Sequence, residues 1–218
     1  MYGMNARVID PKSLDPEEFL ASWYGPRDDI METVESDLAL LPDGLRKWLH
    51  LISRWKFPLS MNKTLFLSSD MAEENGKYIF MGDQGGWAWA FDPNTPLTVY
   101  EAKDDEPWRP LRGEWADMFF YHAFTEAIEA APVVKWCADI SERDLRRVLR
   151  GFDEIAFNDS RWPAPEWRWY VTEGLVADAG PRKGSPGRFV ITVGAKSKEI
   201  AERLDLPNNV DWRVRENR

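Results

Sequence analysis

Glu101, Asp104, Asp105 and Glu106 fall within six residues of one another and are followed directly by Pro107 and Trp108. Two carboxylates can act as acid and base in glycoside hydrolysis when they face each other about 5–10 Å apart across a cleft. An exposed loop is a poor setting for that work, because solvent leaves carboxylates hard to tune. Binding suits the same residues better. An aromatic anchor beside a polar, charged rim is the usual composition of an interface hot spot. The sequence therefore assigns no catalytic residue and points to Glu101, Asp104, Asp105, Glu106 and Trp108 as a partner-binding site.

Other chemistries find less support. His50 and His122 are the two histidines, far apart on separate apolar segments, and neither HxxxH nor CxxC spacing occurs. No metal site and no cofactor is expected from such a set. Phe119, Phe120, Tyr121 and Phe124 surround His122 in sequence and make it a hydrogen-bonded core or rim residue. Cys137 follows Val133, Val134 and Trp136, an apolar setting that suits a buried thiol, and no GxSxG elbow is present. Gly180–Gly187 holds Arg182 and Lys183 but lacks a GK[ST] ending and precedes a strand instead of a helix, so no nucleotide loop is expected. Arg143, Arg146, Arg147 and Arg150 fall at i, i+3, i+4 and i+7, a basic stripe opposite a leucine face. It is assigned to pairing with the acidic half of the chain, residues 1–109, or with a partner.

Charge narrows the partners. The net charge is −9, of which residues 1–109 carry −8. Such a surface repels nucleic acid and attracts basic proteins, whose association it speeds by steering. The start, MYGMNARVIDPKS, lacks the apolar stretch of a signal peptide, and no apolar run approaches the roughly 20 residues that span a bilayer. A cytoplasmic protein without membrane or nucleic-acid partners is the expectation.

The elements that would position these residues can be read from periodicity. Asp15-Pro16-Glu17-Glu18 starts a helix with an N-cap, Pro at N1 and acids in the first turn; Phe19, Leu20 and Trp23 form its stripe. A second helix is expected from about Asp29, with Ile30, Val34, Leu38 and Leu41 on one face and Glu32, Glu35 and Asp37 on the other. A third carries Leu45, Trp48, Leu49 and Ile52. The period then changes to two, with strands near 64–67, 77–82, 86–91 and 97–101. Gly82-Asp83-Gln84-Gly85 joins two of them as a hairpin. Trp87, Trp89 and Phe91 alternate with Ala88 and Ala90, and the bare alanine face is expected to receive the apolar helix Trp115–Ile128. Beyond Pro132 the sequence suggests a short helix capped by Ser141, strands at 168–176 and 188–193, a loop at 178–187, a helix at 197–204 and a last strand at 210–214.

The serial order of these features resembles the SUKH superfamily, which groups bacterial immunity proteins with fungal regulators of cell-wall synthesis. The resemblance rests on Leu41-Pro42 before the helix DGLRKWLHLI, the Asp83-Gln84-Gly85 turn and the strand Pro96-Leu97-Thr98-Val99-Tyr100. The acidic loop with Trp108 and the aromatic helix complete it. It runs from about Phe19 to Ile128. It implies an α+β fold with helices packed on one face of a mainly antiparallel twisted sheet. One domain over 1–218 is expected, with a core at about 15–130 and a strand-rich extension at about 140–214. The function it implies is non-enzymatic: an immunity protein that binds a cognate, basic toxin protein, with a nuclease as one candidate. A regulatory scaffold is the first rival. A hydrolase using the acidic loop ranks below both.

Overall fold

The computed structural model describes residues 7–27, 41–55, 63–66, 70–157 and 166–217. The helix expected from Asp29, with its acidic face at Glu32, Glu35 and Asp37, lies outside the described residues, as does the end of the strand expected at 64–67. In chain order the elements begin with β1 (Val8–Ile9), α1 (Pro16–Tyr24) and α2 (Asp43–Ile52). Six strands follow: β2 (Lys63–Leu65), β3 (Ala72–Glu74), β4 (Lys77–Asp83), β5 (Trp87–Phe91), β6 (Val99–Lys103) and β7 (Arg109–Pro110). Then come α3 (Trp115–Ala130), β8 (Val133–Ser141), α4 (Glu142–Val148), β9 (Asp153–Ile155), β10 (Arg168–Thr172) and β11 (Leu175–Pro181). The chain continues with β12 (Arg188–Ala195), α5 (Lys198–Ala201) and β13 (Arg213–Glu216). The fold is α+β, with its strands shared between two mostly antiparallel sheets. No helix among the described residues is long and apolar enough to cross a membrane.

Two compact units divide the chain: it passes into the N-terminal unit between Leu14 and Asp15 and leaves it inside α3, between Ala123 and Phe124, so β1 belongs to the C-terminal unit. The N-terminal unit holds a six-stranded sheet in the order β2-β4-β5-β6-β7, with β3 also paired to β4. Asp15 caps α1 by accepting hydrogen bonds from the Glu17 and Glu18 amides, as its position before Pro16 suggests. β3 and β4 join through Asn75-Gly76, both left-handed at φ 52° and 73°, the geometry of a type I′ hairpin turn. Trp89 and Phe91 are buried and Trp87 is half-buried, so the expected aromatic face is largely core. α3 packs on that face and not on the alanine face: the Trp89 ring meets His122 edge-on at 4.4 Å, and Phe91 lies 6.3 Å from Trp115. The reason is complementary bulk. Trp115, Met118, Phe119 and His122 recur at helical spacing and supply the apolar cover that the large rings need to leave water.

In the C-terminal unit the sheet order is β1-β9-β10-β11-β12-β8-β13, antiparallel throughout except for the β1–β9 pair. One face carries Tyr170, Leu175, Ala177, Ala179, Ile191 and Val193, which cluster with Leu145 and Val148 of α4 and with Leu149 at its C-cap. Ser141 caps α4 through the Asp144 amide, as expected. Two strand assignments change. β10 and β11 form a hairpin closed by Glu173-Gly174, so the segment expected as one strand at 168–176 turns back on itself. Consequently Asp178–Pro181 pair with β12 instead of looping, and the loop shortens to Arg182–Gly187. β8, unassigned by periodicity, lies between β12 and β13.

Candidate functional site

The acidic residues sit at the turn between β6 and β7, at one end of the N-terminal unit's sheet. The Asp104 amide donates to the Gly86 carbonyl at 2.7 Å, tying this turn to the β4–β5 hairpin turn beside it. Asp104 is left-handed at φ 49° and Gly86 at φ 82°. Aspartate is one of the few side-chain-bearing residues that tolerate that region. Asp83 organises the neighbouring turn, its Oδ1 accepting from the Gly85 and Trp87 amides, each at 2.8 Å. Both turns are therefore fixed by hydrogen bonds, and the surface they present is defined.

Asp104, Asp105 and Glu106 are exposed, and Trp108 is half-buried beside them. Asp104 and Asp105 make no ion pair among the described residues. An interface anchor needs this arrangement: a ring held partly by its own fold, with the Asp104 and Asp105 carboxylates exposed to steer. Glu101 departs from the sequence reading. Two positions along β6 turn it inward, where it is fully buried and ion-paired with Arg109 of β7, its partner in register. Adjacency in sequence hides this, because Glu101 is on a strand and the other three are on a turn.

The remaining candidates resolve as follows. His122 is buried; its enclosure, then the Lys63 ammonium, push its pKa well below the ordinary value, so the imidazole is neutral. Cys137 is a buried free thiol within the C-terminal unit's core. No group of three or more metal-binding side chains occurs among the described residues. On α4, Arg146 pairs with Glu142 and Arg147 with Asp205, so these two arginines are engaged within their own unit and not with the acidic residues of 1–109, because the partners nearest in the fold are local.

Asp178 on β11 escapes a reading of the sequence. Its Oδ1 is enclosed and has no hydrogen-bond partner among the described residues. Burial pushes its pKa up to about 7; hydrogen bonding from Thr192 opposes this and the Glu129 charge adds to it. An aspartate in a strand between two alanines, as in Ala177-Asp178-Ala179, is the available signal.

No protein-family model, curated protein or solved structure matches the chain.

Proposed function

We propose that this chain is a non-enzymatic, SUKH-like protein-binding protein: a cytoplasmic immunity protein that neutralises a basic cognate toxin. The observation that carries the reading is the turn itself. Asp104, Asp105 and Glu106 are exposed together on a hydrogen-bonded turn beside the half-buried Trp108. Opposite charge raises encounter rates, and a desolvated aromatic slows release. Glu101 is left out of the contact surface because it is buried against Arg109. It supports the turn from inside. The order of hairpin, strand, acidic turn, tryptophan and aromatic helix adds the family resemblance to this reading.

The test is binding kinetics against the basic C-terminal domain of the exported protein encoded by the neighbouring gene. Asp104→Lys with Asp105→Lys should slow association at low salt and lose that effect at high salt. Trp108→Ala should speed dissociation. Unchanged association for the double variant removes the interface from this turn, and absence of any binding removes the immunity reading.

A further inference from the structure

A second site lies in the C-terminal unit, on the face of its sheet that α4 covers. A cavity of about 390 Å³ opens there, with Leu145, Phe189 and Pro181 as apolar lining. That volume falls within the range of small-molecule sites. Its polar lining comes from Glu142 and Arg146 of α4, Glu154 of β9, Arg168 and Tyr170 of β10, and Glu166. Tyr170 is 1% exposed, yet its hydroxyl makes no hydrogen bond among the described residues. The hydroxyl oxygen itself is not enclosed by protein, so it is open to a ligand in the cavity.

We propose that this cavity binds a small cation, a primary ammonium on an apolar stem. Glu154 supplies the counter-charge and the Tyr170 hydroxyl a neutral acceptor. The charges choose the sign. Arg146 at the rim is held by Glu142, and Arg168 reaches Glu154 only at 3.6 Å, beyond hydrogen-bonding distance. Glu166 is exposed and has no ion pair among the described residues. The lining thus carries three carboxylates against two guanidinium groups. Glu154 is under-compensated, since its burial outweighs the Arg168 charge and pushes its pKa up. An ammonium has three donors and no acceptor need, which matches a carboxylate and a hydroxyl facing one space. A carboxylate or phosphate ligand would meet Glu154 and Glu166, while Arg146 is held by Glu142 and Arg168 donates to the Trp167 carbonyl at 2.8 Å. The stem would lie on Phe189 and Leu145. The ammonium has two possible sources, a free amine or the lysine side chain of a partner.

Calorimetry and amide NMR shifts on the full chain distinguish these. The probes are n-pentylamine, the peptide acetyl-Gly-Lys-Gly-amide and hexanoate. Pentylamine should saturate and shift the amides of Tyr170 and Phe189, while hexanoate leaves them in place. Binding of the peptide at comparable strength assigns the source to a partner's lysine, and its exclusion assigns it to a free amine. Glu154→Gln should weaken the amine by about tenfold and Tyr170→Phe by a few-fold. Glu73→Gln, exposed on β3 of the other unit, should change nothing. The shifts in the wild-type chain need no variant to fold. Hexanoate binding as well as pentylamine, no shifts at those amides, or full affinity in a folded Glu154→Gln would overturn the proposal.

Discussion

The Asp104 carboxylate occupies the space that a side chain on Gly86 would need, so that a β-carbon at position 86 would overlap Asp104 Oδ1. The same pair is joined by the Asp104 amide and the Gly86 carbonyl. Gly86 is thus selected twice, by its left-handed φ of 82° and by the carboxylate beside it. Gly86→Ala should cost about 1–3 kcal/mol through the backbone alone. The overlap adds to that by displacing Asp104. The coupling between Gly86→Ala and Asp104→Gly should report the overlap alone, since the strain at residue 86 persists and the relief of the left-handed φ at residue 104 appears equally in the single Asp104→Gly variant. Urea denaturation of the two single variants and the double variant measures both parts. A neutral Gly86→Ala would show that the turn rearranges freely and is not a defined surface.

Trp89 and Trp87 share a strand face and differ in burial, which makes them a matched pair. Trp89 is fully buried in the core cluster that also holds Met118 and Phe119, and its ring meets His122 edge-on. Trp87 is half-buried under the Lys103 ammonium, 5.9 Å above its ring. Trp89→Ala should cost about 3–5 kcal/mol in lost transfer energy and cavity formation. Trp87→Ala should cost distinctly less, because its ring never fully leaves water. Thermal melts of the two variants give the comparison, and equal losses would contradict the burial difference.

How much of this is legible in the sequence follows from range. Alternation in Trp87–Phe91, the Asp15-Pro16 start of α1 and the apolar run of α3 are local signals, and each element forms where its residues indicate. The hairpin at Glu173-Gly174 escapes periodicity because apolar residues continue on both sides of it and no Asn-Gly marks the turn. β8 mixes Lys135 and Asp139 into its run, so neither a strict alternation nor a continuous apolar stretch appears. For α3, the small residues of β5 suggest close approach and so point to the alanine face. The opposite face wins, since buried rings gain more from cover than bare alanines do. The cavity is invisible because α4, β9, β10, β11 and β12 each contribute one to three residues, and no spacing links the elements.

The Glu101–Arg109 pair should respond unequally to loss of its two members. Glu101 has no exposed side-chain surface, whereas Arg109 retains 28%. Arg109→Met leaves a buried carboxylate with one partner fewer, and should cost about 3 kcal/mol. Glu101→Gln leaves an arginine that can turn partly to water, and should cost less. Denaturant midpoints of both variants, beside an Asp105→Asn control near zero, test the asymmetry. If Glu101→Gln were the costlier, Glu101 would be supporting the acidic turn through contacts other than Arg109.

Acid pulls the two units in opposite directions, which gives a readout of whether they unfold together. In the N-terminal unit, His122 is held neutral when folded and titrates near 6.5 when unfolded. As pH falls through 6.5 the unfolded state takes up a proton that the folded state refuses. Stability is therefore lost, at up to about 1.4 kcal/mol per pH unit. In the C-terminal unit, Asp178 titrates at about 7 when folded and at 3.8 when unfolded. Below pH 7 the folded state holds the extra proton, so acid adds stability until the unfolded value is reached. Glu154 acts in the same direction. One cooperative unit, as the sequence suggests, sums these slopes and should be nearly flat between about pH 6.5 and 5. His122→Gln should then gain stability on acidification, and Asp178→Asn should lose it. Urea denaturation at pH 7.0 and about 5.5, followed by tryptophan fluorescence and circular dichroism, is the measurement. Two transitions that move apart in acid would show that the units unfold separately. An unchanged slope in the His122→Gln variant would mean that His122 does not titrate between the folded and unfolded states.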